Sequence, residues 1–234
     1  MTTPALQVLH RDATLVAVHK PAGLVVHRTA LAPDADPLLQ RLRDQLGQRV
    51  YPVHRLDRAT AGVVVFGLSS ESARALAAAL DAPEARKRYW AVVRGWPAAD
   101  GVIDHPLVDL DSGVRRAALT AFRTLARGEL PLPTGGFPTA RYALLEVAPR
   151  TGRQHQIRRH FKHAAHPLIG DTTYGKGEHN RRFRALFGEQ RLWLLARALE
   201  LSHPASGSRL TIEAPLDAAW RAVLARFGWD PVSA

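Results

Sequence analysis

The segment VHRLDRATAGVVVFGL (Val53–Leu68) joins a charged, turn-like stretch to an unbroken apolar run, and its two halves make different demands on the fold. The run from Ala61 is Val-rich and short. It therefore reads as a strand buried on both faces, inside a sheet with cover on either side. Asp57 lies just before that strand, so rigid structure holds its carboxylate. Downstream, Ser69 and Ser70 offer an N-cap for a helix running to about Leu80, with Ala73, Leu76, Ala77 and Leu80 as its apolar stripe. Upstream, two short strands are expected near Leu6 to His10 and Thr14 to His19. The turn Lys20-Pro21-Ala22-Gly23 follows, then another short strand, Leu24 to Val26. Pro37 to Leu46 has helical spacing, with Gly47 placed to end the helix.

Further along, strands are predicted near Tyr89 to Val93, Gly101 to Ile103, Ala118 to Thr124, Arg141 to Val147, Leu192 to Leu201 and Arg209 to Ile212. Helices are predicted over Gln154 to His163 and Pro215 to Phe227. Strands outnumber helices and are mostly joined by turns, which points to an α+β fold around a mixed or antiparallel sheet. GELPLPTGGFPTA (Gly128 to Ala140) is the one linker-like stretch, and it is too short to mark a domain boundary. No repeat or heptad array is present.

The 234 residues suffice for one large or two small domains with a real core. With no Cys, disulfides, thiolate nucleophiles, iron–sulfur clusters and cysteine zinc sites are excluded. No window approaches the length of a spanning apolar helix, so a cytoplasmic protein without membrane partners is expected. The formal net charge is +11, and 28 of the 32 basic residues are Arg. Between Arg141 and Arg197, ten Arg and two Lys face only four acidic residues. Such a concentration favours a polyanion partner through phosphate contacts, with a solvated basic face as the alternative.

Two Arg flank Asp57 in His54-Arg55-Leu56-Asp57-Arg58. Arg charges around it in space would keep this carboxylate ionised, which suits a nucleophile or oriented base, although a structural salt bridge would use the same residues. A second constellation, Thr151-Gly-Arg-Gln-His-Gln-Ile-Arg-Arg-His160, opens a helix with many hydrogen-bond donors, a natural phosphate site. The alternative is a solvent-exposed basic helix face, shared by Arg158 and Lys162. His160, His163 and His166 fall three apart but do not share one helix face and have no acidic neighbour, so surface or RNA-facing roles are expected and no metal site is assigned. Gly-x-Ser-x-Gly elbows and glycine-rich nucleotide loops are absent, which argues against serine hydrolase chemistry and nucleotide cofactors.

Taken in order, HKPAGLVVH (His19 to His27), HRLDRATAG (His54 to Gly62), KRYWAVVRG (Lys87 to Gly95), TGRQHQIRRH (Thr151 to His160) and HPLIGDTTYG (His166 to Gly175) resemble the RluA family of pseudouridine synthases. The resemblance runs from about Gln7 to Trp229. YPVHRLDR, GDTTYGKGEHNRRFR and FGEQRLWLLA are most similar to its TruC group, the tRNA pseudouridine(65) synthases. Two positions depart from the usual pattern: Ala61 stands where Ser is frequent, and His19 where Asn is frequent. Neither touches the aspartate.

The resemblance implies a cofactor-free isomerase that detaches uracil from ribose at nitrogen 1, turns it and rejoins it through carbon 5. It implies a bent, mainly antiparallel mixed sheet flanked by helices and loops, in one catalytic domain spanning residues 1–234 with no separate N-terminal RNA-binding domain. Asp57 matches the catalytic aspartate, Tyr89 the tyrosine lying against the target uracil, and Arg158 the basic residue that pairs with the carboxylate. Arg55 matches a residue that enters the vacated base stack. His54, Arg58, Arg153, His155, Gln156, Arg159, Arg181 and Arg182 are further candidate RNA contacts. The implied partner is RNA, most directly tRNA, acted on by a monomer. The competing substrate is a uridine of large-subunit ribosomal RNA, and the competing role is an RNA-binding or RNA-folding protein without catalysis.

Overall fold

The computed structural model describes residues 4–27 and 36–230, which fall into two compact units: residues 4–27 and 36–87 with 196–215, and residues 88–195 with 216–230. The strand expected from Ala61 is the centre of the first. It is β4 (Ala61–Gly67), buried at all seven positions. Burial on both faces stabilises each Val by roughly 1.5–3 kcal/mol over exposure, so this run has no alternative placement at a surface. β1 (Gln7–Arg11) pairs antiparallel with β2 (Leu15–Lys20), β2 antiparallel with β4, and the two-residue β3 (Tyr51–Pro52) antiparallel with the end of β4. On the other side of β4 lies β11 (Leu194–Ser202), which carries the antiparallel β12 (Arg209–Glu213).

Two helices belong to this unit, and α2 packs on β4 and β2. In α1 (Leu38–Leu46), Leu38 and Leu42 are buried and Gly47 ends the helix in the left-handed conformation, φ 63°. α2 (Ser70–Asp81) starts as expected, with the Ser69 side chain accepting from the Ser72 amide. The strand expected at Leu24 to Val26 does not form. The carbonyls of Val25 and Val26 instead accept from the amides of Leu38 and Leu39, and so serve the first turn of α1. Pro37 at the N-cap has no side-chain acceptor to offer that turn.

In the second unit, β5 (Arg86–Arg94) pairs antiparallel with β10 (Ala140–Pro149), β10 with β9 (Leu119–Leu130), and β9 with β6 (Asp100–Asp104). A small ribbon, β7 (Leu107–Val108) with β8 (Arg115–Arg116), stands apart. The linker-like Gly128–Ala140 stretch is the end of the β9–β10 hairpin. At its tip Thr134 and Phe137 exchange both backbone hydrogen bonds across Gly135 and Gly136, whose φ angles of 60° and 83° give the twist that a two-residue hairpin requires.

Three helices complete this unit: α3 (Gln156–His163), α4 (Gly177–Phe187) and α5 (Ala218–Phe227). α4 was not among the expected helices, although Phe183 and Phe187 lie four apart and Gly188 ends it with φ 72°. Its packing explains why it forms: Phe183 lies within aromatic contact of Tyr142, Phe187, Trp193 and Phe227. No helix among the described residues is long and apolar enough to cross a membrane.

Gly62 shows how tightly β4 is seated. Its φ is 125°, and a Cβ at that position would stand 2.3 Å from the carbonyl oxygen of Ala196 on β11. Gly62→Ala is expected to destabilise the protein by at least ~2 kcal/mol, seen as a lower urea midpoint with an unchanged slope. A midpoint equal to wild type would show that the β4–β11 approach is not fixed as described.

Candidate active site

Asp57 sits in the loop that delivers the chain into β4. Leu56 and Thr60 are buried on either side, the Thr60 amide donates to the Asp57 carbonyl, and Asp57 itself remains partly exposed. A buried lysine fixes the loop from below. Lys20 is 0% exposed, and its ammonium donates to the carbonyls of Pro21 (3.0 Å), Leu24 (2.6 Å) and Arg58 (3.1 Å). The Arg58 carbonyl also accepts from the Gly23 amide, while Arg58 Nε donates to the Gly23 carbonyl. The Lys-Pro-Ala-Gly turn and the His-Arg-Leu-Asp-Arg loop are thereby joined into one piece of backbone. Gly23, with φ 87°, supplies the conformation that this crossing needs. Burial pushes the Lys20 ammonium down to about 7, opposed by the nearby Asp57 carboxylate and assisted by Arg58. In sequence Lys20 is only part of a turn. A lone Lys before Pro gives no sign that three carbonyls converge on it.

His54 holds the other end of the loop. The Val65 amide donates to its Nε2 at 3.0 Å, which makes this nitrogen the acceptor and leaves the ring proton on Nδ1. Burial, with Lys87 adding to it, holds His54 at about 4, below the ordinary histidine value. His54 is thus a neutral part of the frame rather than a charged RNA contact. Arg55 and Arg58, by contrast, are exposed.

Tyr89 is on β5, opposite Val147 of β10, and is partly exposed where the strand passes from an exposed to a buried stretch. Arg158 is not on a solvated helix face. It is buried in α3, with Nε donating to one Asp171 carboxylate oxygen at 2.7 Å and Nη2 to the other at 2.9 Å. Burial alone would raise the Asp171 carboxyl. The Arg158 side chain and the amides of Tyr174 and Thr173 outweigh that and hold it below the usual carboxylate range. The Tyr174 ring lies against the Arg158 guanidinium at 5.1 Å, and its hydroxyl is 3.1 Å from His155 Nδ1. His155 takes φ 54° at the start of α3. Asp171 and Tyr174 belong to the GDTTYG motif, and neither was among the candidate site residues. The Asp two and three residues ahead of the amides it accepts is an Asx-turn signature that could have marked it.

The polar run before α3 proves to be internally satisfied. Gln156 is buried, accepts from the Thr151 hydroxyl and the Arg153 amide, and donates to the Leu119 carbonyl and Thr120 hydroxyl. Its amide is fully used in holding the loop and is not offered to RNA. His160, expected at the surface, is 0% exposed and bonded to Thr120 and the His105 carbonyl. His163 is exposed and stacks on His105, and His166 bonds the Arg94 carbonyl. Arg153 is exposed and donates from Nε to the Ala117 carbonyl, and Arg159 is half-buried. Arg181 and Arg182 are exposed on α4.

Because His54 is held below its unfolded value, the unfolded chain takes up a proton between pH 6.5 and about 4 that the folded chain refuses. This contribution to stability is complete above pH 6.5 and is lost as the pH falls through that window. Between pH 7 and pH 5 wild type should lose ~2 kcal/mol more than His54→Gln, which keeps an acceptor for Val65 but cannot titrate. Equal losses in a urea titration at both pH values would contradict the neutral assignment.

The RNA pseudouridylate synthase family model matches residues 14–163, which include the Asp57 loop, Tyr89 and all of α3. A tRNA pseudouridine synthase C of Vibrio cholerae is 47% identical over 96% of this chain and 97% of its own length, and one from Salmonella typhi is 47% identical over 96% and 90%. Among solved structures, human RNA pseudouridylate synthase domain containing 4 superposes with a TM-score of 0.72 at 26% identity, covering 96% of this chain and 94% of that one. Human RNA pseudouridylate synthase domain containing 1 shares the fold, with a TM-score of 0.69 at 23% identity over 94% and 91%. Matched by the family model over more than half its length and by such relatives over nearly all of it, the chain belongs to the RNA pseudouridylate synthases, the RluA-type enzymes whose motifs it carries.

Proposed function

We propose that this synthase isomerises a uridine of tRNA, the uridine at position 65, with Asp57 as the catalytic carboxylate. The observation that carries the assignment is the Asp57 loop: a partly exposed carboxylate on a backbone pinned by Lys20, Arg58 and His54. The reaction breaks the bond from ribose carbon 1′ to nitrogen 1 and makes one from carbon 1′ to carbon 5. The carbon 5 hydrogen leaves to solvent and a proton returns to nitrogen 1. No electrons are exchanged, so the isomerisation balances without a cofactor. As the first bond breaks, positive charge builds on the ribose, and a fixed carboxylate stabilises it through space or by forming a covalent bond. Tyr89 supplies a flat face and a phenol for the detached base. Arg158, oriented by Asp171, answers the negative charge of the reaction.

A paired uridine must leave its helix before either carbon is accessible, at an unstacking cost of a few kcal/mol. Arg55, on the exposed side of the loop, is suited to fill the vacated stack. Arg58, Arg153, His155, Arg159, Arg181 and Arg182 provide phosphate contacts. The relatives named as acting on tRNA match this chain over almost their whole length, which supports the same substrate class here. The protein acts as one catalytic domain, as a monomer in the cytoplasm.

With tRNA tritiated at carbon 5 of uridine, wild type should release tritium. Asp57→Ala should lower release at least a thousandfold while tRNA affinity stays within threefold. No release by folded wild type from tRNA would overturn the proposal, and release from ribosomal RNA alone would reassign the substrate. Replacing Arg181, Arg182 and Arg184 together by Ala should weaken tRNA binding and flatten its salt dependence by about 0.7–0.9 for each phosphate no longer neutralised. Single-turnover chemistry at saturating enzyme should persist, and an unchanged salt slope would remove these residues from the interface.

A further inference from the structure

A cavity of about 660 Å³ lies beside the tip of the β9–β10 hairpin, and the proposed chemistry does not use it. Three cations, Arg94, Arg141 and Lys176, line it against one carboxylate, Glu178. On its outer wall is Phe137, 71% exposed. The hairpin tip holds Phe137 in place: its backbone is bonded both ways to Thr134, and the adjacent Gly135 amide donates to Glu178 on α4. Arg141 is likewise preset, with its guanidinium 4.4 Å from the Trp96 ring and 3.4 Å from Glu129.

A second, adjoining cavity of about 390 Å³ shares Arg94 and Lys176 and adds Lys162. Its wall includes Tyr174, the residue whose ring covers Arg158. Lys162, Arg94, Lys176 and Arg141 therefore form a cationic track that starts at the Arg158 cluster and ends at an exposed aromatic ring.

We propose that the cavity at the hairpin tip is a second nucleotide site, in which one unpaired nucleotide of the RNA substrate, distinct from the reacting uridine, stacks on Phe137 while its phosphates lie along Arg94, Lys176 and Arg141. The inference rests on the proposed reading that RNA is the substrate. The volume is in the range of sites that enclose a small ligand. The composition matches single-stranded nucleic acid recognition, in which cations follow the backbone and an aromatic face takes a base. A free inorganic anion would leave Phe137 without a function. A paired nucleotide would keep its faces stacked on its neighbours and could not use the ring.

The test uses the full chain with a tRNA transcript, and measures equilibrium affinity against salt, base protection by chemical probing, and single-turnover tritium release. Phe137→Ala should weaken tRNA binding roughly tenfold, as expected for one base that no longer stacks on an aromatic ring, and Phe137→Trp should restore it. Lys176→Ala should lower the salt slope by about 0.7, the value for one single-strand phosphate. Wild type should protect one unpaired base away from the reacting uridine, and Phe137→Ala should not. Single-turnover rates at saturating enzyme should be unchanged in each variant.

Wild-type affinity and protection in Phe137→Ala would overturn the second site even if tritium release is normal. Absence of tritium release from wild type, together with weakened RNA binding by Phe137→Ala, would instead sink the catalytic reading and leave the site standing. Binding of poly-glutamate in a manner sensitive to Phe137→Ala, with no effect of that substitution on tRNA, would reassign the cavity to an acidic polypeptide.

Discussion

An ammonium buried beneath the Asp57 loop is the constraint on which the presentation of the Asp57 carboxylate depends. Removing Lys20 from water costs several kcal/mol unless its protons find acceptors. They find three, and all are backbone carbonyls. Carbonyl acceptors compensate burial without adding a second formal charge. The Asp57 charge still reaches Lys20 and favours the ammonium form. Bonding to main-chain carbonyls also makes the Lys20 contacts independent of which side chains stand at Pro21 and Leu24. The cost is that the lysine cannot be replaced by a shorter or neutral residue without leaving those carbonyls to be satisfied otherwise.

Arg158 is held on a related principle with the opposite chemistry. A buried guanidinium needs a carboxylate that matches its fork, and Asp171 meets it with both oxygens. Asp171 is itself fixed by the amides of Thr173 and Tyr174, and its segment is tied to β5 by the bond from the Ile169 amide to the Val92 carbonyl. The orientation of Arg158 thus derives from the sheet through GDTTYG and not from α3 alone. Tyr174 lies against both Arg158 and Lys162, and so relates that orientation to the surface lined by Lys162, Arg94 and Lys176.

Much of the local structure was legible because one signal decided each element. The Val run of β4 could only be buried, Ser69 and Gly47 marked helix ends, and the spacing of Leu38 and Leu42 fixed the face of α1. The strand at Leu24 to Val26 failed because its carbonyls are taken by the first turn of α1, a partner thirteen residues away that no window on the strand could contain. α4 was missed because its polar, Arg-rich surface hides two aromatic residues, whose value lies in the rings around them. The Gly-Pro stretch near Gly135 resembled a linker because turn residues look alike whether they join domains or strands.

The amino-acid order alone determined the family, Asp57 as the residue to examine, the basic surplus and the strand-rich fold class, since each rests on residue identity or short-range periodicity. Tertiary structure decided which of the polar candidates are spent inside the protein and which remain available. Gln156, His54 and His160 look as exposed as Arg55 or Arg181 in sequence, yet their hydrogen bonds close on residues up to 55 positions away. The same holds for the bond from Lys20 to the Arg58 carbonyl and for the pairing of Asp171 with Arg158, although both residues also bond to near neighbours in the chain. Hydrogen bonds and ion pairs act over a few ångströms of space, so their partners are set by how the chain returns on itself and not by what stands beside them in the sequence.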